Sequence, residues 1–242
     1  MRKFLIPTTV AAVLAFGVVE VATTIAQGEG PTSIKVDAKA TPNNGGSKAK
    51  PQGHKITANV TVTTPGDVDH PVVEGGTIYF PKGGKYQGEK YTKCAQSTLQ
   101  RGGPDACPPK SKIGQGSGSA SADTVEAGPK VELFNGGKNF TLAYVTLQRP
   151  ARVRAVIPAK LIPQSGKWSY KVNFTVPETL RIVAGIPVTL NYLKLTAGYT
   201  AAAKDILATT SCGAGNKWPF QVDLKLSTQQ TVTYTDSVAC RK

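Results

Sequence analysis

Histidine is nearly missing from this chain of 242 residues, which carries only His54 and His70. Nucleophilic hydrolysis of the Ser-His-acid type needs a base that orients and deprotonates the nucleophile. His54 lies in a Lys- and Gly-rich connection, and His70 sits between Asp69 and Pro71, so neither is placed for that role. The Gly114–Gly118 run reads GQGSG, not G-x-S-x-G, and no helix pattern follows it. It matches neither a nucleophile elbow nor a nucleotide loop. Carboxylates are scarce too, at 15 Asp and Glu against 29 Lys and Arg. Glycoside hydrolysis needs two carboxylates flanking the bond. No E-x-D-x-E run offers them, and Glu132, the one acid inside a strong apolar alternation (VELF), is expected to face solvent.

Other absences bound the fold. The four cysteines show no CxxC or CxxxxC spacing and no histidine beside them in sequence, which argues against a zinc site. No segment repeats an apolar residue at the 3.6-residue helical period; only Ala201–Ile206 reads as a short helical turn. No repeat recurs at a fixed spacing, and no cofactor motif occurs, so no cofactor is expected.

What remains is abundant in turns and alternation. Composition is 40% hydrophobic and 18% charged, with 25 Gly and 17 Pro. That is enough apolar material for a core, and enough turn residues to cut it into short segments. Ile34 and Val36, then Ile56, Ala58, Val60 and Val62, alternate with polar neighbours as half-buried strands do. Residues 41–54 (TPNNGGSKAKPQGH) read as an exposed connection; Thr77–Phe80 reads as a short strand ended by Pro81 and the turn Gly83-Gly84, and the following stretch to about Ser111 reads as loop. Small residues alternate over Ile113–Ala122, leaving room for something bulky, Trp168 or Trp218, or for an apolar ligand between sheets.

The second half is more regular. Trp168, Tyr170, Val172, Phe174 and Val176 share one face. Val188, Leu190 and Tyr192 repeat the pattern, and Leu193 and Leu195 then switch face, as a bulge would make them. Trp218–Leu226 pairs with Val232–Val238 across a turn at Ser227–Gln230. Short strands without intervening helices predict an all-β fold, an antiparallel β-sandwich of jelly-roll or immunoglobulin-like type. One domain over residues 27–242 is expected, with a subdivision near 123–130 as the alternative.

Residues 1–26 read as a signal peptide: Arg2 and Lys3, an apolar run Val10–Val19, and small residues before a cleavage point after Ala26. A membrane anchor needs about 20 apolar residues, and Pro7, Thr8, Thr9 and Glu20 interrupt any such window. The expectation is a secreted or cell-surface protein with no membrane span after cleavage. Export permits disulfides. Cys94, Cys107, Cys212 and Cys240 allow three pairings, of which sequence neighbours, Cys94 with Cys107 and Cys212 with Cys240, are favoured.

Two segments around these cysteines carry a resemblance. KCAQSTLQRGGPDACPPKSKIGQGSGSA (Lys93–Ala120) is similar to a C…L…GG…CP..S.IG.G.A signature, and Ser211–Cys240 is similar to a closing C…W.F…C hairpin. Together they resemble uncharacterised secreted proteins of high-GC Gram-positive, actinobacterial bacteria. The resemblance implies a secreted, disulfide-bonded β-sandwich and carries no activity with it.

The formal charge of +14 points to an anionic partner. In an exported chain an anionic cell-wall polymer or glycan is favoured over nucleic acid, although such charge also serves plain solubility. The best binding candidate interleaves Tyr79, Tyr86 and Tyr91 with Lys82, Lys85, Lys90 and Lys93. Tyrosine faces suit sugar rings and lysines suit acidic groups, while the same residues could pair within the loop. A weaker metal candidate is the oxygen-rich run DVDHPVVE, with Asp67, Asp69 and Glu74 as ligands for a hard cation. The functional expectation is a non-enzymatic binding or structural module of the bacterial envelope. The alternatives are a carbohydrate-active enzyme and an apolar small-ligand carrier.

Overall fold

The computed structural model describes residues 32–65, 70–198, 200, 203 and 205–241. Residues 1–26, read as a signal peptide, therefore lie outside the described residues, as do Asp67, Asp69 and half of the 201–206 turn. In chain order the strands are β1 (Ser33–Thr41), β2 (Gln52–Gly53), β3 (Lys55–Thr63), β4 (Val73–Pro81) and β5 (Gly84–Tyr86). Then follow β6 (Lys112–Ala122), β7 (Val125–Glu126), β8 (Lys130–Gly137), β9 (Phe140–Leu147), β10 (Val153–Pro163) and β11 (Trp168–Thr175). The last are β12 (Ile182–Val183), β13 (Ile186–Gly198), β14 (Leu207–Thr209), β15 (Lys217–Leu226) and β16 (Thr231–Ala239). Two short helices interrupt them, α1 (Gln96–Gly102) and α2 (Glu178–Arg181).

One antiparallel sheet runs β1-β3-β13-β6-β8-β9-β10-β11-β4-β15-β16, with β7 and β12 as short additions. Eleven strands on that path put its two ends in the same direction, so their meeting must be parallel. The chain does this just beyond the strand ends. Asn44 bridges Arg241 in parallel; Gly45 N–H donates to Arg241 O at 2.9 Å and Arg241 N–H to Asn43 O at 2.7 Å. The sheet is thereby nearly closed, and its halves face one another across the core as the layers of a sandwich do. The expected all-β, disulfide-stabilised antiparallel fold is the observed one.

Alternation decides what fills the interior. Ile34 and Val36 of β1 meet Val222, Leu224 and Leu226 of β15 and Val73 of β4. A second interior cluster joins Ile113, Val131, Leu133, Val145 and Leu147, capped by Leu180 of α2 and Val183. The bulge read from the face switch is present: the β13–β6 register shifts between Leu190 and Tyr192. As a result Leu193 and Leu195 turn inward while Lys194 and Thr196 face out.

The small residues of β6 admit no tryptophan. A Cβ at Gly116 would meet Lys194 O and, at 2.5 Å, Leu195 Cδ2, so glycine here lets β6 approach β13 closely. Trp218 instead packs edge-on against His54, with ring centroids 5.0 Å apart. Trp168 departs from the face of Tyr170 because the β11–β4 register shifts between the two residues. Its ring meets Tyr79 at 5.5 Å.

Both disulfides join sequence neighbours, Cys94 to Cys107 and Cys212 to Cys240. The first belongs to a segment that packs on the outside of the sheet. Cys94, Leu99 of α1 and Cys107 cover Phe134, Leu142, Tyr144 and Val156 on the outer side of β8, β9 and β10. Strand β9 is consequently buried on both faces, with Ala143, Val145 and Leu147 on the inner one. Gly103, at φ +71°, ends α1 and turns the chain along the sheet.

Candidate functional site

Beside this covering segment the outer face of the sheet forms a groove of about 620 Å³. Gly102, Gly103, Pro104 and Asp105 line it on the covered side, and residues of β6, β8, β9, β10 and β13, with Gln148 and Arg152 of the β9–β10 connection, line the rest. Its cations are Lys112, Lys130, Arg152, Arg154 and Lys194, against the carboxylates Asp105 and Glu132. Lys112 Nζ contacts Glu132 Oε1 at 2.5 Å, so that pair neutralises itself. Lys130, Arg152, Arg154 and Lys194 are exposed and have no ion-pair partner among the described residues. Glu132, expected to face solvent, thus lines the groove and holds a lysine there.

Strand register arranges the remaining charge. Lys194 of β13 pairs with Ser117 of β6, Ser117 with Lys130 of β8, Lys130 with Thr146 of β9, and Thr146 with Arg154 of β10. All five line the groove. Neighbouring strands lie about 4.8 Å apart, so the row spans roughly 19 Å and repeats a cation roughly every 10 Å. The adjacent row, Thr196–Gln115–Glu132–Tyr144, contains no cation. Past Lys194 the charge row runs to Asn59 and then Asp37, where the sign reverses.

The tyrosine-lysine set is divided by the fold. Tyr79 lies on β4 against Trp168, whose other contact is Lys167 Nζ, 4.6 Å from the ring centroid. Tyr86 and Tyr91 pack instead against the interior cluster. Tyr86 Oη donates to Asn135 Oδ1 at 2.8 Å, and burial pushes its phenol up to about 12. Burial also raises Tyr91, with Asp205 adding to it. Lys82, Lys85, Lys90 and Lys93 are exposed, and Lys90 Nζ donates to Gln87 Oε1 at 3.0 Å. Of the metal candidates only Glu74 is described, and its carboxylate accepts from Arg181 Nη1. Among the described residues no group of three or more His, Cys, Asp or Glu could hold a metal ion.

His54 corrects the reading of residues 41–54 as an exposed connection. Its side chain is 2% exposed. Nδ1 lies 2.7 Å from Pro42 O and Nε2 2.9 Å from Thr209 Oγ1. Burial lowers its pKa below the ordinary 6.5, against smaller opposing effects of the Pro42 carbonyl and Asp205. This cluster lies where β2 pairs with β14, close to the seam between β1 and β16.

No protein-family model matches this chain, and no curated protein matches its sequence. Of the described helices none is long and apolar enough to cross a membrane. The groove therefore has to be read from its own chemistry. It offers unpaired cations, three of them alternating with hydroxyl side chains along one row, and amide side chains beside them.

Proposed function

We propose that this chain is a non-enzymatic, exported binding module of the bacterial envelope that holds an anionic polymer in the groove beside α1. The observation that carries the reading is the set of unpaired cations Lys130, Arg152, Arg154 and Lys194 lining one groove. Four like charges on one surface repel one another, and a polyanion relieves that repulsion when it displaces their counterions. Two disulfides, an apolar leader at residues 10–19 and the resemblance to secreted actinobacterial proteins support an extracellular setting. Cosedimentation of the purified protein with bacterial cell wall, at low and high salt, tests the proposal. Retention at low salt that is released by salt supports it; no retention at low salt overturns it.

A second reading uses the same groove. Asp105 and Glu132 both line it, and glycoside hydrolysis needs two carboxylates flanking the bond. Under this reading an acidic polysaccharide incubated with the protein gains reducing ends, and Glu132→Gln stops their release. Under the binding reading the polymer is recovered at its original length.

A further inference from the structure

The register of the sheet says more than that the groove is basic. Reading across β13, β6, β8, β9 and β10, one ladder row presents Lys194, Ser117, Lys130, Thr146 and Arg154 in strict alternation of cation and hydroxyl. Each step is one inter-strand spacing, about 4.8 Å. A sugar in an extended, β-linked chain advances by about the same distance. A chain laid across the strands would therefore set one sugar over each position of the row. Every second sugar would meet a cation, and the sugars between would meet Ser117 and Thr146.

We propose that the groove's ligand is a linear acidic polysaccharide bearing one negative charge per disaccharide, bound perpendicular to the strands along this row. The inference rests on the polyanion reading of the groove and adds its charge period and direction. The row through Gln115 and Glu132 supports the choice, because its one carboxylate is held by Lys112 and it carries no cation; among the described residues Arg152 is the one free groove cation outside the charge row. At the β13 side, Asn59 and then Asp37 follow Lys194 in the row, so an acidic chain is favoured no further in that direction.

The test compares three oligosaccharides of equal sugar number on the full chain. Hyaluronan carries a carboxylate on every second sugar, a β-1,4-linked oligoglucuronate on every sugar, and a cello-oligosaccharide on none. A groove that responded only to charge density would favour oligoglucuronate. The row predicts the reverse order, with hyaluronan bound at least about tenfold more tightly. It also predicts that Lys130→Gln, which removes the central cation, abolishes that preference, while Lys130→Arg keeps it. Circular dichroism of each variant confirms that the sheet is intact. Oligoglucuronate binding as tightly as hyaluronan, or tighter, would overturn the period and leave the polyanion groove standing. Neither acidic chain binding better than the neutral one would overturn the groove reading as well.

Discussion

His54 and Thr209 meet across 155 residues of chain: the imidazole Nε2 lies 2.9 Å from the threonine hydroxyl, with no room for water at a side chain 2% exposed. The contact ties the connection after β1 to β14, and so helps to hold the seam at which the sheet closes. Its cost appears at acid pH. Burial makes the folded imidazole harder to protonate than the same ring in the unfolded chain, which takes a proton near 6.5. Above that pH neither state is protonated and the contribution of the buried ring is complete. As pH falls through 6.5 toward the lowered folded pKa, the unfolded chain takes the proton first, and stability drops by at most about 1.4 kcal/mol per pH unit over that interval. Denaturant midpoints measured from pH 7.5 to 5 should show this fall in the native chain and not in His54→Gln. A slope that persists in the variant would assign the effect to other groups.

Asn135 is fully buried and acts as a hub. Its amide nitrogen donates to Gly88 O at 2.8 Å, Thr92 O at 3.0 Å and Tyr91 O at 3.2 Å. Its oxygen accepts from Tyr86 Oη and from Gly137 N. Asn135→Ala strands several of these groups in the interior, at about 1–3 kcal/mol for a buried group left unpaired. The expected loss is therefore about 3 kcal/mol or more by urea unfolding. Tyr86→Phe, which removes one donor, should cost only about 1 kcal/mol. Equal losses for the two would contradict the hub.

The two disulfides differ in what they hold. On the loop-entropy view the Cys94–Cys107 bridge, spanning 13 residues, contributes about 3 kcal/mol, and Cys212–Cys240, spanning 28, slightly more. Cys94→Ala with Cys107→Ala also loosens Gly102–Asp105, which line the groove. That variant should weaken polyanion binding at temperatures where it remains folded. Cys212→Ala with Cys240→Ala should lower the thermal midpoint and leave binding unchanged. Binding lost equally in both would separate the groove from the first bridge.

Local features of this fold were legible in the sequence. Period-2 alternation marks β1, β3, β15 and β16, and the face switch after Tyr192 marks the β13 bulge, because each signal lies within one strand. The cysteine pairs follow from short spans. Burial of His54 was not legible, since Lys48, Lys50 and Gly53 around it read as surface while its partners Thr209 and Trp218 lie far along the chain. Helix α1 was hidden for a similar reason: it buries Leu99 and is too short to show a period. The groove was the least visible. Lys130, Arg154 and Lys194 come from three separate strands, and only the register of five strands brings them into one row. The tyrosine-lysine stretch is contiguous in sequence, yet the fold sends Tyr79 to one surface and packs Tyr86 and Tyr91, half-buried, against the interior cluster.

On the proposed function the groove, and not the overall charge of +14, binds the anionic polymer. Two charge-matched double variants separate these possibilities. Lys130→Gln with Arg154→Gln removes two cations from the groove, and Lys35→Gln with Lys39→Gln removes two from the exposed face of β1. Binding of each to hyaluronan, titrated over a range of salt, is the direct measurement. The groove variant alone should lose at least about tenfold in affinity and show a shallower salt dependence. Equal weakening of both variants, with the same salt dependence, would contradict it.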